Sequence, residues 1–161
     1  MKTLHESNNL IILPILKPIK LSKNFINKLG GKLLSNVVLI VALEEHNVYF
    51  LSCFKASNEN EENQEFIQIN IHEGVKENGE LDIIKLTSAV SLDNIYKINI
   101  NDFKNYLEND YETLPYLGIK DQINIITKLT NKFEENNQPK LIFIKKRKIE
   151  KTNQNIKSEN I

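Results

Sequence analysis

Two apolar runs separated by four polar residues constrain the fold of this chain more than any other feature. NVVLIVAL (36–43) is rich in β-branched residues, EEHN (44–47) is polar, and VYFLSCF (48–54) is apolar or aromatic at six of its seven positions when cysteine is counted as a small hydrophobe. Continuous apolar runs of this length are typical of strands that are buried on both faces. Joined by a short polar turn, they predict a β-hairpin at the centre of a sheet.

Further short strands are predicted on both sides of this hairpin. LIILPILKPIKL (10–21) contains Pro14 and Pro18, and because proline cannot donate to a strand ladder, this segment favours an edge strand. FIQINI (66–71) alternates apolar and polar residues, as does a strand with one buried face. The other predicted strands are IYKINI (95–100), KLIFIKKRKI (140–149) and DIIKLTSAVSL (82–92), the last as one long strand or as two short ones split near Thr87 and Ser88.

Helices are predicted mainly after the strands. SKNFINKLGGK (22–32) predicts a short helical turn that ends at its two glycines. Asp102 is a candidate cap for FKNYLEND (103–110), and Asp121 is expected to open a stronger helix. Five residues of that helix recur at three- and four-residue spacing and predict its buried face: Ile123, Ile126, Leu129, Thr130 and Phe133.

The order of these elements predicts an α+β fold. The chain has 161 residues, a length that suits one domain with a real core. We expect a small, strongly bent antiparallel sheet or a partly closed barrel, with helices at one end. The domain is expected to span residues 1–149, and the polar segment 150–161 is expected to be a disordered tail.

The charge balance excludes attraction of nucleic acid by the net charge of the whole protein. The chain has 21 basic and 21 acidic residues and a formal net charge of zero, so any basic surface must be local. Arg147 is the only arginine, which leaves lysine to contact phosphate as a point charge. The densest basic cluster, KKRK (145–148), predicts either a nucleic-acid contact or a solvated strand end.

Cysteine and histidine usage gives no indication of a metal or cofactor site. His5, His46 and His72 are scattered, and no spacing matches a zinc site or a phosphate-binding loop. Cys53 is the single cysteine and lies in an apolar run, where a thiol is inert. No apolar stretch is long enough for a membrane span, and no signal peptide is apparent. We therefore expect a cytoplasmic protein without cofactor, metal or membrane contact.

The hairpin has an unusual polar ending, because Ser52 interrupts its second arm and Lys55 closes it. From spacing alone, this ending predicts either a strand that reaches the surface or the rim of a site for an anionic substrate. Three segments extend the second interpretation: GGKLLSNVVLIVAL (30–43), VYFLSCFK (48–55) and GELDIIKLTSAVSLDNIYKI (79–98).

Together these segments make residues 28–98 resemble toxins of the MazF/PemK type, including the RNA-guarded ToxN-like toxins, which have an SH3-like barrel. The resemblance lies in a glycine-lysine turn before an apolar strand, a strand that ends in a hydroxyl residue, and a Ser-x-Val strand followed by an acidic residue and an isoleucine. One departure is that Leu33-Leu34-Ser35-Asn36 stands where the family has Arg-Pro.

The resemblance implies a metal-independent endoribonuclease that cleaves single-stranded RNA as the toxin of a toxin–antitoxin system. It implies catalytic roles for Ser52, Lys55 and Lys32, with phosphate attacked by a ribose 2′-hydroxyl. The implied RNA contacts are Asn36, Lys85 and Ser88.

The implied partners are an antitoxin, either RNA or a small protein, and a second copy of the chain in a homodimer or in a toxin–antitoxin assembly. The missing arginine keeps an alternative open, in which the same fold is a non-catalytic module that binds RNA or protein.

Overall fold

The computed structural model describes residues 12–28, 33–56, 65–108 and 110–145. It confirms an α+β fold with a mostly antiparallel sheet and few helices. The strands are β1 (Pro18–Lys20), β2 (Val37–Leu43), β3 (Asn47–Phe54), β4 (Phe66–Gln68), β5 (Gly74–Val75), β6 (Leu81–Asp82), β7 (Ala89–Ser91), β8 (Asn94–Asn99) and β9 (Lys140–Ile144), and the helices are α1 (Lys23–Lys28), α2 (Ile100–Tyr106) and α3 (Ile119–Glu134), with 3₁₀ turns at Ile71–Glu73 and Tyr111–Thr113.

The predicted hairpin forms the centre of the sheet. β2 and β3 pair antiparallel with Val38 opposite Ser52 and Leu39 opposite Leu51, and a bulge between Ile40 and Ala42 shifts the register. β1 pairs with β2 alone among the described strands, which confirms the edge strand expected from its prolines.

On the edge away from β2, β3 pairs with two different strands, and this branching sets the topology of the sheet. Its first half, Asn47 to Phe50, pairs with β8, and its end, Cys53 and Phe54, pairs with β7. Within the described ranges, β1, β4 and β9 each pair with a single neighbour, so the sheet is open. The expected partly closed barrel is therefore corrected to an open sheet, because strands diverge from β3 instead of meeting at a seam.

β9 departs from the antiparallel pattern, since it runs parallel to β8 with Ile95 opposite Leu141 and Lys97 opposite Phe143. A parallel pair needs a long crossover between its strands, and the segment that contains α2 and α3 provides it.

Hydrophobic cores on both faces of the sheet explain the continuous apolar runs. On one face, Phe50 stacks on Tyr96 with ring centroids 5.3 Å apart and also contacts Phe103 of α2. The opposite face packs against α3, which contributes Ile125 and Leu129. Because β2 and β3 lie between two cores, both faces are buried over the first four residues of β2 and over most of β3.

The predicted helix starts were wrong by a few residues. Asn99, not Asp102, caps α2, and its side chain accepts from the backbone N–H groups of Asn101 and Asp102. α3 starts at Ile119 after Gly118. A Cβ at Gly118 would lie 2.7 Å from the Glu73 carbonyl oxygen, which explains why glycine precedes this helix.

The predicted buried face of α3 was also wrong in part. Ile125 is fully buried with Leu129, whereas Ile123, Ile126 and Phe133 are 60%, 41% and 48% exposed. Apolar residues extend around so much of the helix that two different faces satisfy the same spacing.

Three predicted strands are shorter or divided in the structure. FIQINI forms strand only over β4, after which Asn70 caps a 3₁₀ turn. DIIKLTSAVSL contributes the end of β6 and all of β7, with irregular backbone over 83–88. IYKINI ends at Asn99, where α2 follows.

The predicted glycine end of α1 and the tail 150–161 lie outside the described residues. Of the described helices, none is long and apolar enough to cross a membrane.

Candidate functional site

A pocket of about 460 Å³ opens where β3 ends and β2 begins. Three lysines line it, Lys20, Lys55 and Lys85, and two further polar residues, Ser35 and Asn36, lie beside them. Leu34, Val37, Phe54 and Leu86 complete its lining. We call this the lysine pocket.

Each lysine of the lysine pocket comes from a different part of the fold. Lys20 ends β1 and pairs with Val37, Lys55 follows β3 directly, and Lys85 lies in the irregular segment 83–88. Lys55 and Lys85 are exposed, and Lys20 is half-buried. Sheet pairing therefore gathers cations that are distant in sequence.

Ser35 and Asn36 are fixed by hydrogen bonds to neighbouring strands. The Ser35 hydroxyl donates to the Cys53 carbonyl over 2.7 Å and accepts from the Val37 N–H over 3.0 Å. The Asn36 Nδ2 donates to the Leu21 carbonyl over 2.8 Å, and an amide nitrogen carries a second N–H. Asn36 can thus donate to an anion in the pocket while it holds β1.

The predicted serines Ser52 and Ser88 form hydrogen bonds with backbone next to the pocket and do not line it. Ser52 is buried, is not among the residues that line the pocket, and its Oγ accepts from the Leu34 N–H over 3.1 Å. The Ser88 Oγ accepts from the Ala56 N–H over 2.9 Å, next to Lys55. In this arrangement both hydroxyls hold backbone that carries lining residues.

The lining of the lysine pocket is electropositive. Among the described residues, no Asp or Glu lines it, and none of its three lysines forms a salt bridge with a described carboxylate. Clustered ammonium groups with an adjacent amide donor favour an anion, and phosphate is the anion that lysine commonly binds in proteins.

The cysteine lies behind the same strand end and faces the core. Cys53 is fully buried, and burial raises the pKa of its thiol well above the ordinary value, while a hydrogen bond with Thr87 lowers it less. The described residues contain no group of three or more His, Cys, Asp or Glu that could hold a metal ion.

The structure brings together three of the residues predicted from the sequence, Asn36, Lys55 and Lys85. Lys32 lies outside the described residues, as do Lys146, Arg147 and Lys148 of the basic cluster. Sequence reasoning missed Lys20 and Ser35. Lys20 ends the proline-marked edge strand, but only the register of β1 on β2 shows that it faces the pocket.

The comparisons leave the family open: no protein-family model, no curated protein and no solved structure matches this chain significantly. The resemblance to MazF/PemK toxins therefore rests on the sequence segments quoted above.

Proposed function

We propose that this chain binds single-stranded RNA in the lysine pocket and cleaves it without a metal ion, as the cytoplasmic toxin of a toxin–antitoxin system. The observation that carries the proposal is the gathering of Lys20, Lys55 and Lys85 around one pocket with no described carboxylate in its lining. The resemblance of sequence segments within residues 28–98 to MazF/PemK and ToxN-like toxins supports it independently.

The residues of the lysine pocket match the electrostatic demands of phosphodiester cleavage. When a 2′-hydroxyl attacks the adjacent phosphate, negative charge builds on the phosphoryl oxygens, and fixed cations stabilise that charge. Lys55 and Lys85 supply charge, and the remaining Asn36 N–H supplies a hydrogen bond. As the bond from the 2′-oxygen to phosphorus forms and the bond to the 5′-oxygen breaks, the 2′-hydroxyl proton passes to solvent water, because no described carboxylate or imidazole lines the pocket. An ammonium group donates a proton to the departing 5′-oxygen, and Lys55 is the candidate donor.

The antitoxin of such a system would be an RNA or a small protein that blocks the same pocket. An RNA antitoxin would use the phosphate contacts of the substrate, whereas a protein antitoxin would place carboxylates against the lysines. A homodimer or a larger toxin–antitoxin assembly is compatible with either.

The proposal is tested by expression in a bacterium and by cleavage of single-stranded RNA in the presence of EDTA. We expect growth arrest, and RNA fragments that end in a 2′,3′-cyclic phosphate. Lys55→Gln combined with Lys85→Gln is expected to relieve the arrest. Lys128→Gln, an exposed α3 position outside the pocket, is the matched control and is expected to remain toxic. Intact RNA and normal growth with the unmodified chain would contradict the proposal.

A second candidate is a module that binds RNA without cleaving it. The observation in its favour is that no His, Asp or Glu of the described residues lines the pocket to accept the 2′-hydroxyl proton. Binding of single-stranded RNA that depends on salt and on Lys55, with no products after long incubation, would favour this module over the toxin.

A further inference from the structure

A second surface with chemistry for nucleic acid lies at the other end of β3. Tyr49, Lys97 and Phe143 stand directly opposite one another on β3, β8 and β9. The Lys97 Nζ lies 5.5 Å from the ring centroid of Tyr49 and 5.5 Å from that of Phe143. Lys145 approaches the Phe143 ring to 5.6 Å. We call these four residues the aromatic row.

The aromatic row lies beside α3, with Phe143 and Lys145 exposed and Tyr49 and Lys97 half-buried. Phe143 is 53% exposed, and its neighbour on the same face, Leu141, is 58% exposed. An apolar groove of about 290 Å³ separates α3 from the sheet, with Tyr49 on one side and Ile126 and Phe133 on the other. The exposed face of α3 and the open part of the sheet therefore form one continuous surface.

The charges of the aromatic row identify the kind of ligand. Neither Lys97 nor Lys145 forms a salt bridge with a described residue. The cores of protein–protein interfaces are depleted in lysine, whereas Lys97 stands in the middle of this surface. Aromatic rings interleaved with cations bind single-stranded nucleic acid by stacking of bases and attraction of phosphates.

We infer that the aromatic row is a second RNA-binding surface, on which bases of a single strand stack on Phe143 and Tyr49 while Lys97 and Lys145 contact the backbone. Tyr49 lies in β3, and Lys55, six residues later, directly follows the end of that strand, so this surface lies roughly 20 Å from the lysine pocket. The choice of RNA as the ligand rests on the proposed function, whereas the stacking geometry does not.

The test compares two eight-nucleotide probes by fluorescence anisotropy. One is 2′-O-methyl oligouridylate, which lacks the 2′-hydroxyl needed for cleavage, and the other has the same backbone without bases. Phe143→Ala and Phe143→Leu are each expected to weaken binding of the base-bearing probe at least about fivefold, since a stacked base contributes about 1–3 kcal/mol. Binding of the abasic probe is expected to stay unchanged.

Two further variants distinguish this inference from the proposed function. Lys97→Gln is expected to weaken both probes and to reduce the salt dependence of binding. The double variant Lys55→Gln/Lys85→Gln is expected to weaken both probes alike if the lysine pocket binds backbone. If that variant binds normally and the Phe143 variants do not, the lysine pocket is excluded and the aromatic row stands.

Several results would overturn the inference. Wild-type affinity of both Phe143 variants, or no binding of either probe by the unmodified chain, would do so. Full binding by Phe143→Leu with loss in Phe143→Ala would indicate apolar contact in place of stacking. A wild-type dimer in sedimentation that Phe143→Ala dissociates, without change in RNA affinity, would assign the surface to a second copy of the chain.

Discussion

The backbone N–H of Leu34 donates a hydrogen bond to the Ser52 hydroxyl over 3.1 Å. This bond joins the segment that precedes β2 to the last part of β3, next to the bond from the Ser35 hydroxyl to the Cys53 carbonyl. Two serine hydroxyls thus position the stretch from Leu34 to Asn36, which forms one wall of the lysine pocket. The hydroxyl that the family resemblance assigns to catalysis has a positioning role in this geometry.

Replacement of Ser52 by alanine tests that role. Because the hydroxyl is buried and accepts from the Leu34 N–H, we expect Ser52→Ala to lower the free energy of unfolding by about 1 kcal/mol. The salt dependence of RNA binding is expected to stay unchanged, since no charge is lost. Urea denaturation and RNA titrations at several salt concentrations measure the two effects. Unchanged stability with complete loss of cleavage would instead place the hydroxyl at the reacting phosphate.

The lysine pocket predicts a specific dependence of RNA affinity on salt. Each phosphate neutralised on a single strand contributes about 0.7 to the slope of log K against log salt concentration. Lys20→Gln, Lys55→Gln and Lys85→Gln are therefore each expected to reduce the magnitude of that slope by about 0.7. Lys128→Gln, on the exposed side of α3, is the control that should leave it unchanged. Equal slopes in all four variants would remove these lysines from the RNA contact.

The sequence predicted best those elements whose burial leaves an unambiguous pattern. β2 and β3 lie between two cores, so almost every residue in them is apolar and the hairpin is apparent from the sequence. α3 was predicted as a helix with a partly wrong buried face, because Ile123, Ile126 and Phe133 satisfy helical spacing as well as Ile125 does. Periodicity cannot distinguish these two faces, since the choice depends on where the helix meets the sheet.

The candidate site was predicted only in part because it is made by pairing between strands. Lys55 stands at the end of a recognisable strand, and Asn36 at the start of its partner. Lys20 joins them through the register of a three-residue strand, for which the sequence offers only the nearby prolines. The parallel pairing of β9 with β8, and with it the aromatic row, depends on a crossover whose direction no local pattern specifies.

A buried lysine predicts how stability changes with pH. Lys17 is 1% exposed, and its Nζ donates to the carbonyls of Tyr111 and Glu112 over 3.2 and 3.4 Å. Burial lowers its pKa from the ordinary value of 10.5, although Glu77 and Glu112 act in the opposite direction. Between the two pKa values the unfolded chain binds more protons than the folded one, so this contribution to stability rises with pH up to about 10.5 and is lost as pH falls.

We expect Lys17→Met to flatten this dependence. As pH rises from the lowered pKa of Lys17 towards 10.5, the free energy of unfolding should increase more in the unmodified chain than in the variant. Burial raises the pKa of Tyr96, Tyr111 and Tyr116 in the folded state above the ordinary value of 10.0. Above about pH 10, ionisation of these tyrosines in the unfolded chain should therefore lower the stability of both proteins alike. Urea denaturation at several pH values gives the two curves. Curves that stay parallel up to pH 10.5 would contradict a lowered pKa at Lys17.

The single cysteine allows the opening of the site's central strand to be followed chemically. Cys53 has no exposed surface, and burial raises the pKa of its thiol above the ordinary value, so the reactive thiolate is suppressed in the folded state. We expect a thiol reagent such as Ellman's reagent to modify the native protein very slowly and the urea-unfolded protein at once. Labelling in native buffer should accelerate in Ser52→Ala, because weaker attachment of the Leu34 segment makes opening more frequent.

Cys53→Ala, which removes the only thiol, is the control without a reactive group and is expected to bind RNA normally. Rapid labelling of the native chain would show that β3 is accessible at Cys53 and would contradict its buried position behind the lysine pocket.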